Sequence, residues 1–94
     1  MDNTDKSLLE AAMEVGADEL KRATYQVIAR EAGRASGWKL AKDQGRRPEE
    51  VERALGRLRE LGVVAATGSG LDGYYYLTSR GFQLREALGK KARV

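Results

Sequence analysis

The side chains here that could do chemistry are almost all charged. Neither cysteine nor histidine occurs among the 94 residues. Ser-His and Cys-His nucleophile pairs are thereby excluded, and a zinc site would have to be built from carboxylates and water alone. No metal, no cofactor and no disulfide framework is expected. The loop Gly68–Gly73 has three glycines but lacks the lysine and the following helix that a phosphate loop needs. With no nucleophile–base pair, the sequence does not read as an enzyme. What remains is guanidinium and carboxylate chemistry. Arg53 and Arg57 are four residues apart and share a face if their segment is helical. Glu49, Glu50 and Glu52 stand close by, where they could cap that helix and pair with the two arginines.

The elements that must carry these charges can be read from local signals. Pro48 fits a first helical position, where its missing N–H removes no helical bond. Glu49 and Glu50 favour the positive end of the helix dipole. Val51, Ala54, Leu55 and Leu58 recur at helical spacing, and Leu61 closes the stripe. Gly62 can turn left-handed and end the helix. The spacing thus predicts a helix over 48–61. Val63 and Val64 begin a strand, the glycines of 68–73 mark a flexible hairpin tip, and Tyr74–Leu77 return. Alternation places Tyr75 and Leu77 toward the core, with Tyr74 and Tyr76 partly exposed.

Upstream, Thr4 or Asp5 can cap a first helix whose apolar face is Leu8, Leu9, Ala12, Met13 and Val15, broken at Gly16. Asp18 can cap a second, with Leu20, Thr24, Val27, Ile28 and Ala32 on one side and Tyr25 beside them. Residues 33–37 read as a small-residue connection. Trp38 is expected in the core, with an exposed partner contact as the other reading. Leu40 and Ala41 give a short helix its inner face, and Gly45 makes the turn before the long helix. Thr78 or Ser79 caps a last helix with Phe82, Leu84, Ala87 and Leu88 on its apolar side, ended by Gly89.

The net charge is +3, unevenly spread. Residues 1–20 carry six acids against Lys6, a net of −5, which leaves +8 on the rest. A basic body behind an acidic first helix suits an anionic partner. No apolar run approaches the roughly 20 residues of a membrane span, and no signal peptide is evident, so a cytoplasmic protein is expected.

The chain is therefore read as one α+β domain: mainly helical, with a small β-hairpin, an extra N-terminal helix over 1–16, a core over 18–89 and a basic tail over 90–94. Leu55, Leu58, Gly62, Val63 and Val64, followed by Tyr75, Leu77, Thr78 and Gly81, resemble the L-x-x-L-x-x-x-G-V-V … Y-x-L-T-x-x-G pattern of bacterial winged helix-turn-helix regulators of the MarR, PadR and ArsR type. The resemblance covers roughly residues 18–89. It implies that helix 48–61 lies in a DNA major groove and that hairpin 63–77 is the wing. Carried over by position, Arg46, Arg47, Glu50, Arg53 and Arg57 would face double-stranded DNA, Lys39 and Lys42 would hold its backbone, and Gly70, Tyr74 and Tyr76 would mark the wing. Arginine can donate two bonds to guanine O6 and N7 and offset phosphate charge. The resemblance also implies a transcription regulator that dimerises through its terminal helices. The acidic opening of helix 48–61 and a wing tip whose only charge is Asp72 suit the alternative, a winged-helix module that binds protein.

Overall fold

A computed structural model describes the backbone of residues 3–92 and the side chains of residues 7–88. In chain order it places α1 (Asn3–Ala17), α2 (Glu19–Glu31), β1 (Ala35–Ser36), α3 (Gly37–Gln44), α4 (Pro48–Glu60), β2 (Val64–Thr67), a short 3-10 turn (Gly70–Asp72), β3 (Tyr74–Leu77) and α5 (Ser79–Ala92). The winged-helix reading of the chain holds.

Local chemistry explains most boundaries. Asp18 accepts hydrogen bonds from the N–H groups of Leu20 and Lys21 and so caps α2. Those backbone bonds, that from Lys21 foremost, hold its carboxyl below the usual carboxylate range. Ser36 caps α3 by accepting from Lys39 N–H. Gly45 closes α3 at φ 63°, a left-handed turn that returns its N–H to the helix and swings the chain into α4. Gly62 follows α4 at φ 77°. Thr78 caps α5: its Oγ1 accepts from Gly81 N–H at 3.0 Å and donates to Gly62 carbonyl at 2.6 Å.

The inner stripe of α4 is Val51, Ala54, Leu55 and Leu58, all buried. Val51, Leu55 and Leu58 share one core with Tyr25 and Ile28 of α2, Leu40 and Ala41 of α3, and Val15, Val63, Tyr75, Leu77 and Leu84. Fully burying each large aliphatic chain is worth about 1.5–3 kcal/mol. The Tyr25 hydroxyl crosses that core and donates to Gly81 carbonyl at 2.5 Å, tying α2 to α5. Burial pushes its pKa up to about 12, so the phenol stays protonated and keeps that donor.

Several expectations are corrected. Thr4 and Asp5 lie inside α1 rather than ahead of it, and Gly16 does not break that helix, which runs to Ala17. Ala32, expected on the inner side of α2, is exposed and ends that helix as a left-handed cap. The connection 33–37 contains β1, which pairs antiparallel with β3, so the sheet has three strands in the order β1-β3-β2. Leu9 and Met13 are exposed, because Ala11, Ala12 and Val15 take the inward positions of α1. Phe82 is likewise exposed while Leu84 fills the inward site of α5. Gly89 does not end α5, which runs on to Ala92, so residues 90–92 are no separate tail; Arg93 and Val94 lie outside the described residues. Trp38 is not in the core: it is 52% exposed, and its indole N–H donates to Asp72 Oδ1 at 2.8 Å.

That last contact also corrects the picture of a flexible wing. Gly37 N–H donates to Gly73 carbonyl at 3.1 Å, and the Tyr75 hydroxyl donates to Gly70 carbonyl at 2.7 Å. A Cβ on Gly37 would lie 2.6 Å from Leu71 Cα, so glycine is what lets the wing tip seat on α3. The tip is folded back against α3 and α4.

Candidate nucleic-acid interface

Helix α4 is held from below and free above. Because Val51, Leu55 and Leu58 point inward, the 3.6-residue repeat turns Glu49, Arg53, Gly56 and Glu60 outward. All four are exposed. Glu50 and Arg57 flank this ridge on the side of α2, where they line an open depression of about 320 Å³ with Asp18, Leu20, Lys21, Arg53 and Ala54. Glu52 and Arg59 flank it on the side of the wing. A Cβ on Gly70 would lie 3.2 Å from Glu52 Oε2, and Arg59 is near enough to the Tyr75 hydroxyl to oppose the upward push that burial gives its pKa.

The expected site residues fall into four groups. Lys42, Arg47 and Arg53 are exposed along the edge formed by α3, the turn and α4, and none has an ion pair among the described residues. Lys39 and Arg46 are exposed but loosely paired, Lys39 with Glu31 at 3.8 Å and Arg46 with Glu50 at 3.9 Å. Exposed pairs this long are worth less than about 1 kcal/mol and yield readily to another anion.

Arg57 stands apart. The expectation that it pairs with the glutamates opening α4 is not met. Its Nε and Nη2 donate to the two carboxylate oxygens of Glu14 on α1, at 2.6 and 2.8 Å, and its Nη1 lies 3.5 Å from Glu60. The Arg57 guanidinium, with burial opposing it, holds the Glu14 carboxyl down to about 2. A depressed acid contributes stability that is present above its unfolded value, near 4.5, and lost as pH falls toward 2. Thermal melts should therefore show wild type losing its margin over Glu14→Gln between those two pH values. Parallel curves across that window would refute the pairing.

The wing residues sit on a different side. Gly70, at φ 58°, lies beside α4. Tyr74 and Tyr76 stand on the outer face of the sheet, opposite Thr67 and Ala65 in register, while Tyr75 and Leu77 turn inward as the alternation predicts.

The order of elements, a helix pair joined by a tight turn and a β-ribbon packed behind the second helix, can be compared with solved structures. A multiple antibiotic-resistance repressor (MarR) from Listeria monocytogenes 4b F2365 superposes with a TM-score of 0.73 over 94% of this chain, at 20% identity. A second MarR family transcription regulator gives 0.70 over the same share, at 16% identity. The fold is a MarR-type winged helix. This chain spans 62% and 60% of the lengths of those two proteins. No protein-family model matches the sequence, and no curated protein matches it either. Within this winged helix, α4 is the second helix of the helix-turn-helix pair and residues 64–77 form the wing. No described helix is long and apolar enough to cross a membrane, and no group of potential metal ligands occurs among the described residues.

Proposed function

We propose that this winged helix binds double-stranded DNA through α4 and the turn before it, as a transcription regulator. The observation that carries the reading is the row of exposed cations Lys42, Arg47 and Arg53, unpaired among the described residues, along the edge of an outward-facing α4. Arg53 is the candidate for base readout, because it stands on the outermost line of the helix. Lys42, Arg46 and Arg47 lie where the first turn of α4 would meet a phosphate backbone, with Lys39 behind them. Both structural neighbours are MarR regulators, one of them a repressor, which supports the same reading.

The active form we propose is a homodimer joined through α1 and α5. Leu9 and Met13 on α1 and Phe82 on α5 are exposed large apolar residues that a partner subunit would cover. Two copies of α4 would then read half-sites about one helical turn apart.

Duplex binding should weaken linearly in log affinity against log salt, with a slope of about −0.9 for each phosphate contacted. Arg53→Ala should cost about 1–2 kcal/mol on a preferred site and much less on random duplex. A chain that binds neither random duplex nor the DNA around its own coding sequence at low salt would overturn the proposal. The glutamates on the same ridge, Glu49 and Glu60, favour a protein-binding module in that event.

A further inference from the structure

The ion pair between Glu14 and Arg57 joins an element expected to face a partner subunit to the helix expected to face DNA. Two oxygens of Glu14 take two N–H groups of Arg57 side by side, and Glu60 stands at the third nitrogen. Glu14 is itself steadied by Lys21, 3.2 Å from its Oε2, and Lys21 also reaches Asp18 at 3.5 Å. Such a fork-to-fork arrangement is the geometry in which arginine would otherwise bind a phosphate. Every guanidinium nitrogen of Arg57 therefore already faces a carboxylate, whereas Arg53, one turn earlier, faces none among the described residues.

We propose that Glu14 of α1 is an autoinhibitory contact: it occupies Arg57 in the place of a DNA phosphate and keeps the resting affinity of α4 for DNA low. The proposal rests on the DNA-binding reading above. Glu14 is partly buried, with 29% of its side chain exposed, and is held by two cations, so it competes better than a freely rotating surface acid. Releasing Arg57 adds one cation to the α2 flank of the reading helix. A displacement of α1 relative to α4 would have the same effect as removing the carboxylate.

The test is a double-mutant cycle read by duplex binding across a salt series. Glu14→Gln should tighten binding about fivefold and steepen the salt slope by about 0.9, one further phosphate contact. Arg57→Ala should cost more affinity in the Glu14→Gln background than in the wild-type background, because only there is the side chain free to meet a phosphate. Combining the two should erase the gain. If the gain survives in the double variant, it comes from the lost negative charge alone and the proposal fails. If Arg57→Ala weakens wild-type binding as much as Arg53→Ala does, Arg57 is a free contact and the proposal fails. If wild type does not bind duplex at all, the DNA reading falls and takes this one with it.

A measurement on the unaltered protein guards against a variant that unfolds. The Arg57 Nε–H proton should exchange slowly with water in the absence of DNA, and exchange at the rate of an unpaired arginine would overturn the proposal.

Discussion

Replacing Gly81 with alanine should destabilise the domain by about 3 kcal/mol, because a single methyl group has nowhere to go. A Cβ at this position would stand 2.1 Å from Val63 carbonyl oxygen and 3.1 Å from Leu77 Cβ. Neither neighbour can move cheaply. Val63 carbonyl accepts the Thr78 N–H at 3.1 Å, and Leu77 pairs with Val64 in the sheet. Gly81 is held from both of its own sides as well, with its N–H on Thr78 Oγ1 and its carbonyl under the Tyr25 hydroxyl. The substitution thus pushes the start of α5 off Val63, just before β2, and strains the Tyr25–Gly81 hydrogen bond that ties α5 to α2. For a domain of this size, the melting temperature should fall by about 12 °C or more. Gly56→Ala is the matched control. Gly56 is helical and exposed, and a Cβ there meets nothing within 4 Å, so alanine should stabilise α4 by about 0.5–1 kcal/mol. Two Gly→Ala changes with the same effect would mean that the close approach of Gly81 to Val63 is not real.

Gly81 entered the sequence reading only as one position of a resemblance, and its packing reason lies outside the local signals. Those signals served well where one short segment decides its own conformation. Pro48 and Gly62 bracket α4 to within a residue or two, Asp18 caps α2, and the alternation in Tyr74–Leu77 assigns each side chain its face. They failed where the deciding partner is distant in sequence. Ala35 and Ser36 have little strand preference of their own and become β1 because β3 offers an edge. Size alone places Trp38 inside, yet its indole N–H finds Asp72, 34 residues away, and the ring stays out with the wing tip. Leu9, Met13 and Phe82 fit helical stripes that are wider than the surfaces waiting to cover them. In the candidate site, spacing put Arg53 and Arg57 on one helix. Nothing within four residues of Arg57 points to Glu14, 43 positions earlier. Charge partners on another helix are invisible to local periodicity, which is why two arginines of the same apparent kind end in different states.

Leu58→Ala should be at least as damaging as Gly81→Ala, at about 3–5 kcal/mol, and for the opposite reason: it leaves a void. Leu58 is wholly buried beneath α4, in one core with Val51, Leu55 and Val63. Its carbonyl also accepts the Val63 N–H at 3.2 Å, so it marks the point where α4 hands over to the wing. A helix of 13 residues with four glutamates and three arginines has little stability by itself in water and depends on this stripe. Small domains hold only about 5–15 kcal/mol in total, so the loss takes a large share. Urea unfolding should show a lower midpoint with an unchanged slope, since the surface exposed on unfolding is nearly the same. Duplex binding should disappear in step with the folded fraction. Arg53→Ala gives the reverse pattern: an exposed change with no partner among the described residues, stability altered by less than about 0.5 kcal/mol, and specific binding weakened. The pair separates what holds α4 from what α4 holds. If Leu58→Ala melts like wild type, the inward stripe does not carry the helix, and the outward placement of Arg53 loses its foundation.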